Sequence, residues 1–382
     1  MPWKEWPVSE QRVVVVHQVL SAGRAVSQVA REHGISRKTL YKWLSRYERD
    51  PGKPLADRSR RPKRSPERTA DAIEQSVLEV RRKYNWGPRK IRRLLVDQNQ
   101  PVPSIRTVAA ILRRHDCVPM PQAKSPEQPA PQCFERTEPN ELWQLDHKGA
   151  LEVARQRLTP LTVIDDHSRY CLCFCPVADV TMQTAWRVLW ELMGQMGMPH
   201  SILCDNAFGG THHGMGLSWF DARLVRLGIH PVHGRPYHPQ TQGKVERLHG
   251  TIERELIGFD ARRDSFEHFQ EDAERWRMRY NILRPHEALG DSPPIGRYKP
   301  STIKRPGALP EIEYPPCSIT RRVSEAGDLR YRNARVAVGR SLVGQSVRIE
   351  QRERDVAVWY AWKLLRIIPN DQLPCSRSDK TV

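Results

Sequence analysis

The stretch HGRPYHPQTQGKVERLHGTIERE, residues 233–255, constrains the fold most strongly. Pro236, Pro239 and Gly243 keep its first half in a loop. From about Thr241 the spacing predicts a helix, because Val245, Leu248, Ile252 and Leu256 form one apolar stripe. Glu246 lies about 100° round from Val245, at the stripe's edge, so a half-buried carboxylate is expected there. Gln242, His249 and Glu253 share that flank, and Glu255 points the other way. Read alone, this is an amphipathic helix with incidental charges. Two other carboxylates, Asp146 and Asp205, give Glu246 a different weight.

The 382-residue chain is long for one core, and about two to four domains are expected. Its 62 Lys plus Arg exceed its 44 Asp plus Glu, which leaves a formal charge of +18 and favours a polyanionic partner, most simply nucleic acid. Apolar runs such as Val13–Val16 are too short to span a membrane, and MPWKEWPVSE has no apolar signal core. A cytoplasmic, nucleoid-associated protein is expected. Eight Cys without a paired framework fit a reducing compartment. Cys171, Cys173 and Cys175 alternate along an expected strand, on one face, as small core residues.

Residues 1–50 read as three helices: Ser9 to Leu20, Ala25 to His33, and a third capped by Ser36. The third buries Leu40, Trp43, Leu44 and Tyr47 and leaves Arg37, Lys38, Tyr41 and Lys42 on an open face. That is the pattern of a helix-turn-helix DNA-binding unit. Residues 51–68 form a basic, Pro-rich linker. Residues 69–120 repeat the logic as a second helix-turn-helix domain. Pro88 opens one of its helices, Ser104 caps another, and Arg106, Arg113 and Arg114 face outward. Residues 121–137 form a second Pro-rich linker. From 138 to 300 strands alternate with helices, which predicts a mixed α/β sheet. After a linker at 301–318, short Gly-punctuated β runs at 319–370 suggest a small β-barrel. Residues 371–382 read as a tail.

Asp146 ends the first expected strand of that sheet and Asp205 follows another. If the strands are neighbours, both acids and Glu246 meet at one edge. Like charges about 4 Å apart cost on the order of 4 kcal/mol at an effective dielectric of about 20, so the three need a cation to stay ionised together. Carboxylate-only ligation suits Mg²⁺ or Mn²⁺, and two such ions can activate an attacking oxygen and stabilise a leaving one at phosphorus. Lys148 faces the same side as Asp146 and could hold a phosphate. Lys244 and Arg247 suit flanking DNA. Asp165 and Asp166 read as turn residues and His147 as packed. His238 and His249 lie near the acids without a required role as general base.

Through WQLDHKG, CDNA, YHPQTQGKVER and YNILRPHEALG, residues 138–300 resemble the catalytic core of retroviral-type integrases and of the bacterial insertion-sequence transposases related to them. The 40 residues between Asp205 and Glu246 suit that family. The resemblance implies an RNase H-like fold and a DDE metal site of Asp146, Asp205 and Glu246. It also implies strand transfer without a covalent protein–DNA intermediate. The whole chain then reads as a multidomain DDE transposase that binds the inverted repeats of a mobile element. It would cut the element ends with activated water, join the 3′-OH ends to target DNA, and act as a homo-oligomer on paired ends. Two departures stand out: Asp205-Asn206-Ala207 where many relatives have Asp-Asn-Gly, and helix-turn-helix units in place of a His/Cys zinc module. The competing readings are a DNA-binding regulator on an inactive core and a nuclease that cuts without joining.

Overall fold

The computed structural model describes residues 7–51, 55–57, 68–117, 135–205, 208, 216–234 and 243–373. Most of both Pro-rich linkers, Asn206, Ala207, His238, Gln242 and residues 374–382 lie outside these. The chain divides into two compact units, Met1–Arg68 and Thr69–Val382.

The first unit contains α1 (Val8–Leu20), α2 (Val26–Glu32) and α3 (Arg37–Arg49). Ser36 caps α3 through a 3.1 Å bond from the Thr39 amide to its hydroxyl oxygen. Val16, Val29, Leu40 and Leu44 close a small core. Arg37, Lys38, Tyr41 and Lys42 stay exposed on the face that this packing leaves open.

The second unit begins with α4 (Asp71–Tyr84), α5 (Pro88–Asp97) and α6 (Ile105–Arg114). Pro88 stands in the first turn of α5, where its missing N–H costs nothing. Ser104 accepts from the Thr107 amide at 3.2 Å and starts α6. Arg106 and Arg113 are exposed. Arg114, expected to face outward, instead turns back to pair with the buried Glu74 of α4. The buried acid demands a counter-charge that the helical pattern does not reveal.

A mixed sheet follows. Its strands are β1 (Leu142–His147), β2 (Leu151–Val153), β3 (Gln156–Asp165), β4 (Cys171–Val177), β5 (Ser201–Cys204) and β6 (His230–His233). They run in the order β2-β3-β1-β5-β6, with β4 also paired to β3. β1 is antiparallel to β3 and parallel to β5, and β5 is parallel to β6. α7 (Met182–Met196) and α8 (Trp219–Arg226) share a core with Trp143, Leu145, Ile202 and Cys204. α9 (Gly243–Ile252) and α10 (Phe266–Ile282) share another with Leu158, Ile164 and Phe174. The sheet therefore has helices on both faces, as strand–helix alternation requires.

Two features depart from the sequence expectation. The β2–β3 hairpin went unmarked because Ala154 and Arg155 form its two-residue turn, both at positive φ (50° and 63°), where Asn-Gly is the usual signal. Replacing the pair with Asn-Gly relieves that left-handed strain. We expect a gain of about 1 kcal/mol in urea denaturation, and an unchanged or lower midpoint would refute the strain argument. In β4, Val163 pairs with Cys173 and Ile164 with Cys171, so Leu172 is an extra residue. The bulge splits the three cysteines. Cys171 packs with the α9–α10 core, while Cys173 and Cys175 pack on the α7 side.

The C-terminal part contains β7 (Ile319–Arg322), β8 (Asp328–Tyr331), β9 (Ala334–Ala337), β10 (Ser346–Gln351), β11 (Asp355–Tyr360) and β12 (Lys363–Pro369). The expected barrel is not closed among the described residues. The strands form a four-stranded sheet, β12-β11-β10-β7, and a separate β8–β9 hairpin. The hairpin's Leu329, Tyr331 and Val336 share one core with Val347, Ile349 and Val358 of the sheet and with Ala222 and Val225 of α8. Packing against α8 thus buries apolar surface that a closed barrel would have to cover alone.

Candidate active site

Alternation along the strands decides which way the two strand-end acids face. Trp143 and Leu145 pack towards α7 and α8, so Gln144 and Asp146 face α9. Ile202 and Cys204 likewise pack towards α7 and α8, so Leu203 and Asp205 face α9. The β1–β5 register pairs Leu142 with Ser201 and Gln144 with Leu203. Continued by two positions, it sets Asp146 beside Asp205 at the carboxyl ends of adjacent parallel strands. α9 crosses this face with Val245, Leu248 and Ile252 buried, and its first turn carries Glu246.

Asp146 feels both of the other acids. Burial pushes Asp146 up to about 6, and the charges of Asp205 and Glu246 push it the same way against a bond from the His147 amide. Glu246, expected half-buried, is exposed. It lies between the buried Val245 and Leu248, on the flank of α9 that the apolar stripe leaves open. Among the described residues, no group of three His, Cys, Asp or Glu side chains stands close enough to hold a metal ion. The acids are neighbours rather than a closed ligand set. Oxygen-only donors that repel one another across a partly buried edge nevertheless fit a hard divalent cation.

His249 and Thr162 complete the surroundings of Asp146. Thr162, its cross-strand partner, donates its hydroxyl to the Asp146 carbonyl at 3.1 Å. His249 Nε2 lies 2.7 Å from the same hydroxyl. With the single hydroxyl proton spent, Nε2 must be the donor, which leaves Nδ1 bare at 3.9 Å from the Asp146 carboxylate. Burial, aided by Lys148 and His147, lowers His249 to about 4, so it is neutral near pH 7. Thr162 gave no sequence signal, because only the strand register brings it to Asp146. His147 stacks on Phe208 with centroids 5.5 Å apart. Behind Asp205, His233 lies 3.4 Å from its carbonyl and 3.0 Å from the buried Asp221.

The lysines expected at DNA are otherwise engaged. Lys148 pairs with Glu253 at 2.7 Å. Lys244 is largely buried and pairs with Asp166 at 2.5 Å, so it does not present its charge to flanking DNA as expected. Asp166 also accepts from Gln144 at 2.8 Å and from the Arg136 amide at 2.9 Å. The pair pins the start of α9 to the β3–β4 turn, two residues before Glu246. Arg247 is exposed.

A π-helical turn, Glu253–Ile257, continues α9. It carries Glu255 into a buried site, where it accepts from Arg284 Nε at 2.9 Å and from Trp86 Nε1 at 3.1 Å. Lys90 approaches the same carboxylate at 3.4 Å. The helical domain before the sheet is thereby tied to the element that bears Glu246.

With this geometry in hand, the chain matches the model of an integrase core domain over residues 136–239 and a second such model over 227–294. It matches a helix-turn-helix domain over residues 11–63 and a homeodomain-like domain over 39–112. It is 23% identical to the transposase for transposon Tn552 of Staphylococcus aureus, covering 96% of this chain and 82% of that protein. It is 32% identical over 118 residues to the Gag-Pro-Pol polyprotein of squirrel monkey retrovirus, a match that spans 31% of this chain and 6% of the polyprotein. A chain in a structure of the HTLV-2 integrase catalytic core domain in complex with magnesium matches 43% of this chain and 99% of its own length. Its identity is 15% and its TM-score 0.34.

Proposed function

We infer that this chain, a transposase of the insertion-sequence kind with a retroviral-integrase-type core, uses Asp146, Asp205 and Glu246 as its DDE acids. It cuts the ends of a mobile element and joins their 3′-OH groups to target DNA. The observation that supports the reading is the placement of Asp146 beside Asp205 on the face that α9 crosses, where burial, and with it the charges of Asp205 and Glu246, raises Asp146. These carboxylates would hold Mg²⁺ or Mn²⁺, two ions in the active complex, whose charge activates the attacking oxygen and stabilises the leaving one. Thr162 and the neutral His249 orient the Asp146 segment. Lys244 on Asp166 and Lys148 on Glu253 hold α9 against the sheet. The protein acts in the cytoplasm, on the nucleoid, as a homo-oligomer on paired ends.

The helix-turn-helix units bind the terminal inverted repeats. Arg37, Lys38, Tyr41 and Lys42 form one contact face, and Arg106 and Arg113 contribute from the second unit. Replacing Arg37, Lys38 or Lys42 with Ala weakens end binding, and each lost phosphate contact lowers the salt slope by about 0.9. A fluorescence titration across several salt concentrations measures both, and an unchanged affinity and slope would remove that residue from the interface.

A strand-transfer assay with labelled element ends, target DNA and Mg²⁺ tests the whole reading. Joined product is the expected result. Cleavage without joining would point to a nuclease, and end binding without cleavage to a regulator on an inactive core.

A further inference from the structure

We propose that Asp221 and His233 form a brace that positions Asp205: the Asp221 carboxylate fixes the His233 ring, and the ring fixes the main-chain carbonyl behind the Asp205 carboxylate. The inference rests on the reading of Asp205 as one of the three acids. Asp205 is the first residue beyond the paired register of β5, which ends at Leu203 towards β1 and at Cys204 towards β6. Its carbonyl oxygen accepts from the Phe208 amide at 3.3 Å and lies 3.4 Å from His233 Nδ1. The parallel β5–β6 register pairs His233 with Cys204. Cross-strand partners share a face, so the ring lies on the α8 side while the Asp205 carboxylate faces α9. Holding this carbonyl fixes ψ at Asp205 and keeps the carboxylate aimed at the face that α9 crosses.

The ring is held from its other side as well. Nε2 lies 3.0 Å from Asp221 Oδ1, and a carboxylate only accepts, so Nε2 donates. Asp221 is nearly inaccessible. Its second oxygen accepts from the Ser218 amide at 3.1 Å and closes the capping box that starts α8. Two cores grip α8, one through Phe220 and Leu224 and the other, shared with the C-terminal strands, through Ala222 and Val225. Ser341 donates to the Leu217 carbonyl just ahead of the helix. The C-terminal part is thus linked through α8 to the peptide that follows Asp205. Cys204 Sγ, 3.6 Å from Nδ1, gives the constellation the order of a Cys-His-Asp triad. Cys204 is fully buried, however, and burial pushes its thiol well above the usual range, so it is no nucleophile. What remains is the brace. The Asp205 carbonyl only accepts, so Nδ1 meets it with an N–H. Asp221 and His233 are positioning residues and touch no reacting atom.

The test separates the two ring nitrogens in the full chain. An Asn side chain places its amide nitrogen where Nδ1 stands, and a Gln side chain where Nε2 stands. His233→Asn therefore keeps the donor to Asp205, and His233→Gln keeps the donor to Asp221. Each variant is measured by urea denaturation without metal, by Mn²⁺ titration of the melting temperature, and by cleavage of labelled element ends. His233→Gln should be the more stable of the two. It should nevertheless need about tenfold more Mn²⁺ for its half-maximal thermal shift, the scale on which groups behind metal ligands tune affinity, and cleave correspondingly less at limiting metal. His233→Asn should bring the requirement back to within about threefold of the parent. A requirement that follows the urea midpoint in both variants marks a merely structural pair and overturns the brace. So does a rise of about tenfold in His233→Asn, even if His233→Gln fails to fold. A parent whose melting temperature ignores Mn²⁺ overturns the assignment of the acids and the brace with it. A responsive parent matched by His233→Gln overturns the brace alone.

Discussion

Asp146→Asn, Asp205→Asn and Glu246→Gln each abolish end cleavage and strand transfer, while specific binding to the ends survives. Each change is nearly isosteric, so the sheet edge and the first turn of α9 keep their shape. Each removes one of the negative ligands proposed to hold the cation. Several kcal/mol of charge stabilisation is lost at the reacting phosphate, which at about 1.4 kcal/mol per tenfold is a loss of about 10³-fold or more. In the metal-free protein the same changes are neutral or stabilising, because Asp146, raised chiefly by burial and also by the charges of Asp205 and Glu246, no longer has to hold its charge beside them. Mg²⁺ or Mn²⁺ therefore raises the melting temperature of the parent more than that of any variant. The comparison is a thermal melt with and without metal, beside a cleavage assay. Full activity in Glu246→Gln together with its loss in Glu253→Gln would move the third acid to Glu253. The ion pair of Glu253 with Lys148 argues against that outcome.

Glu255→Ala costs about 3–5 kcal/mol of stability, the usual penalty for removing one partner of a buried pair. The carboxylate is nearly inaccessible, and so is the Arg284 side chain, at 5% and 7% exposure, so solvent screens their attraction little. Without Glu255 the guanidinium stays buried and uncompensated, and the Trp86 indole loses its acceptor. Glu255→Gln keeps an acceptor and costs less. Urea denaturation of both variants gives the comparison, and a loss under about 1 kcal/mol for Ala would refute a central role for this network. The Trp86→Phe change should couple to Glu255→Gln by about 0.5–3 kcal/mol, because Trp86 and Glu255 meet directly. Additive effects would show that the helical domain is held to α9 elsewhere.

What the sequence by itself determined is local. Ser36, Pro88 and Ser104 start helices because a cap, or a missing N–H, acts within one turn. The Val245, Leu248, Ile252 stripe turned α9 onto the sheet because 3.6-residue periodicity is written in adjacent residues. The positions of Asp146 and Asp205 at strand ends followed in the same way. Tertiary structure alone decided the rest. Only the parallel β1–β5 register sets the two aspartates side by side. Only the bulge at Leu172 separates Cys171 from its neighbours. The sequence turned Glu255 away from the Glu246 flank and offered Lys244 to flanking DNA. They are instead committed to Arg284 and Asp166, residues far away in sequence. A hydrogen bond between distant residues leaves no periodic trace in either segment. A buried charge is therefore recognisable only once the fold has brought its partner to it.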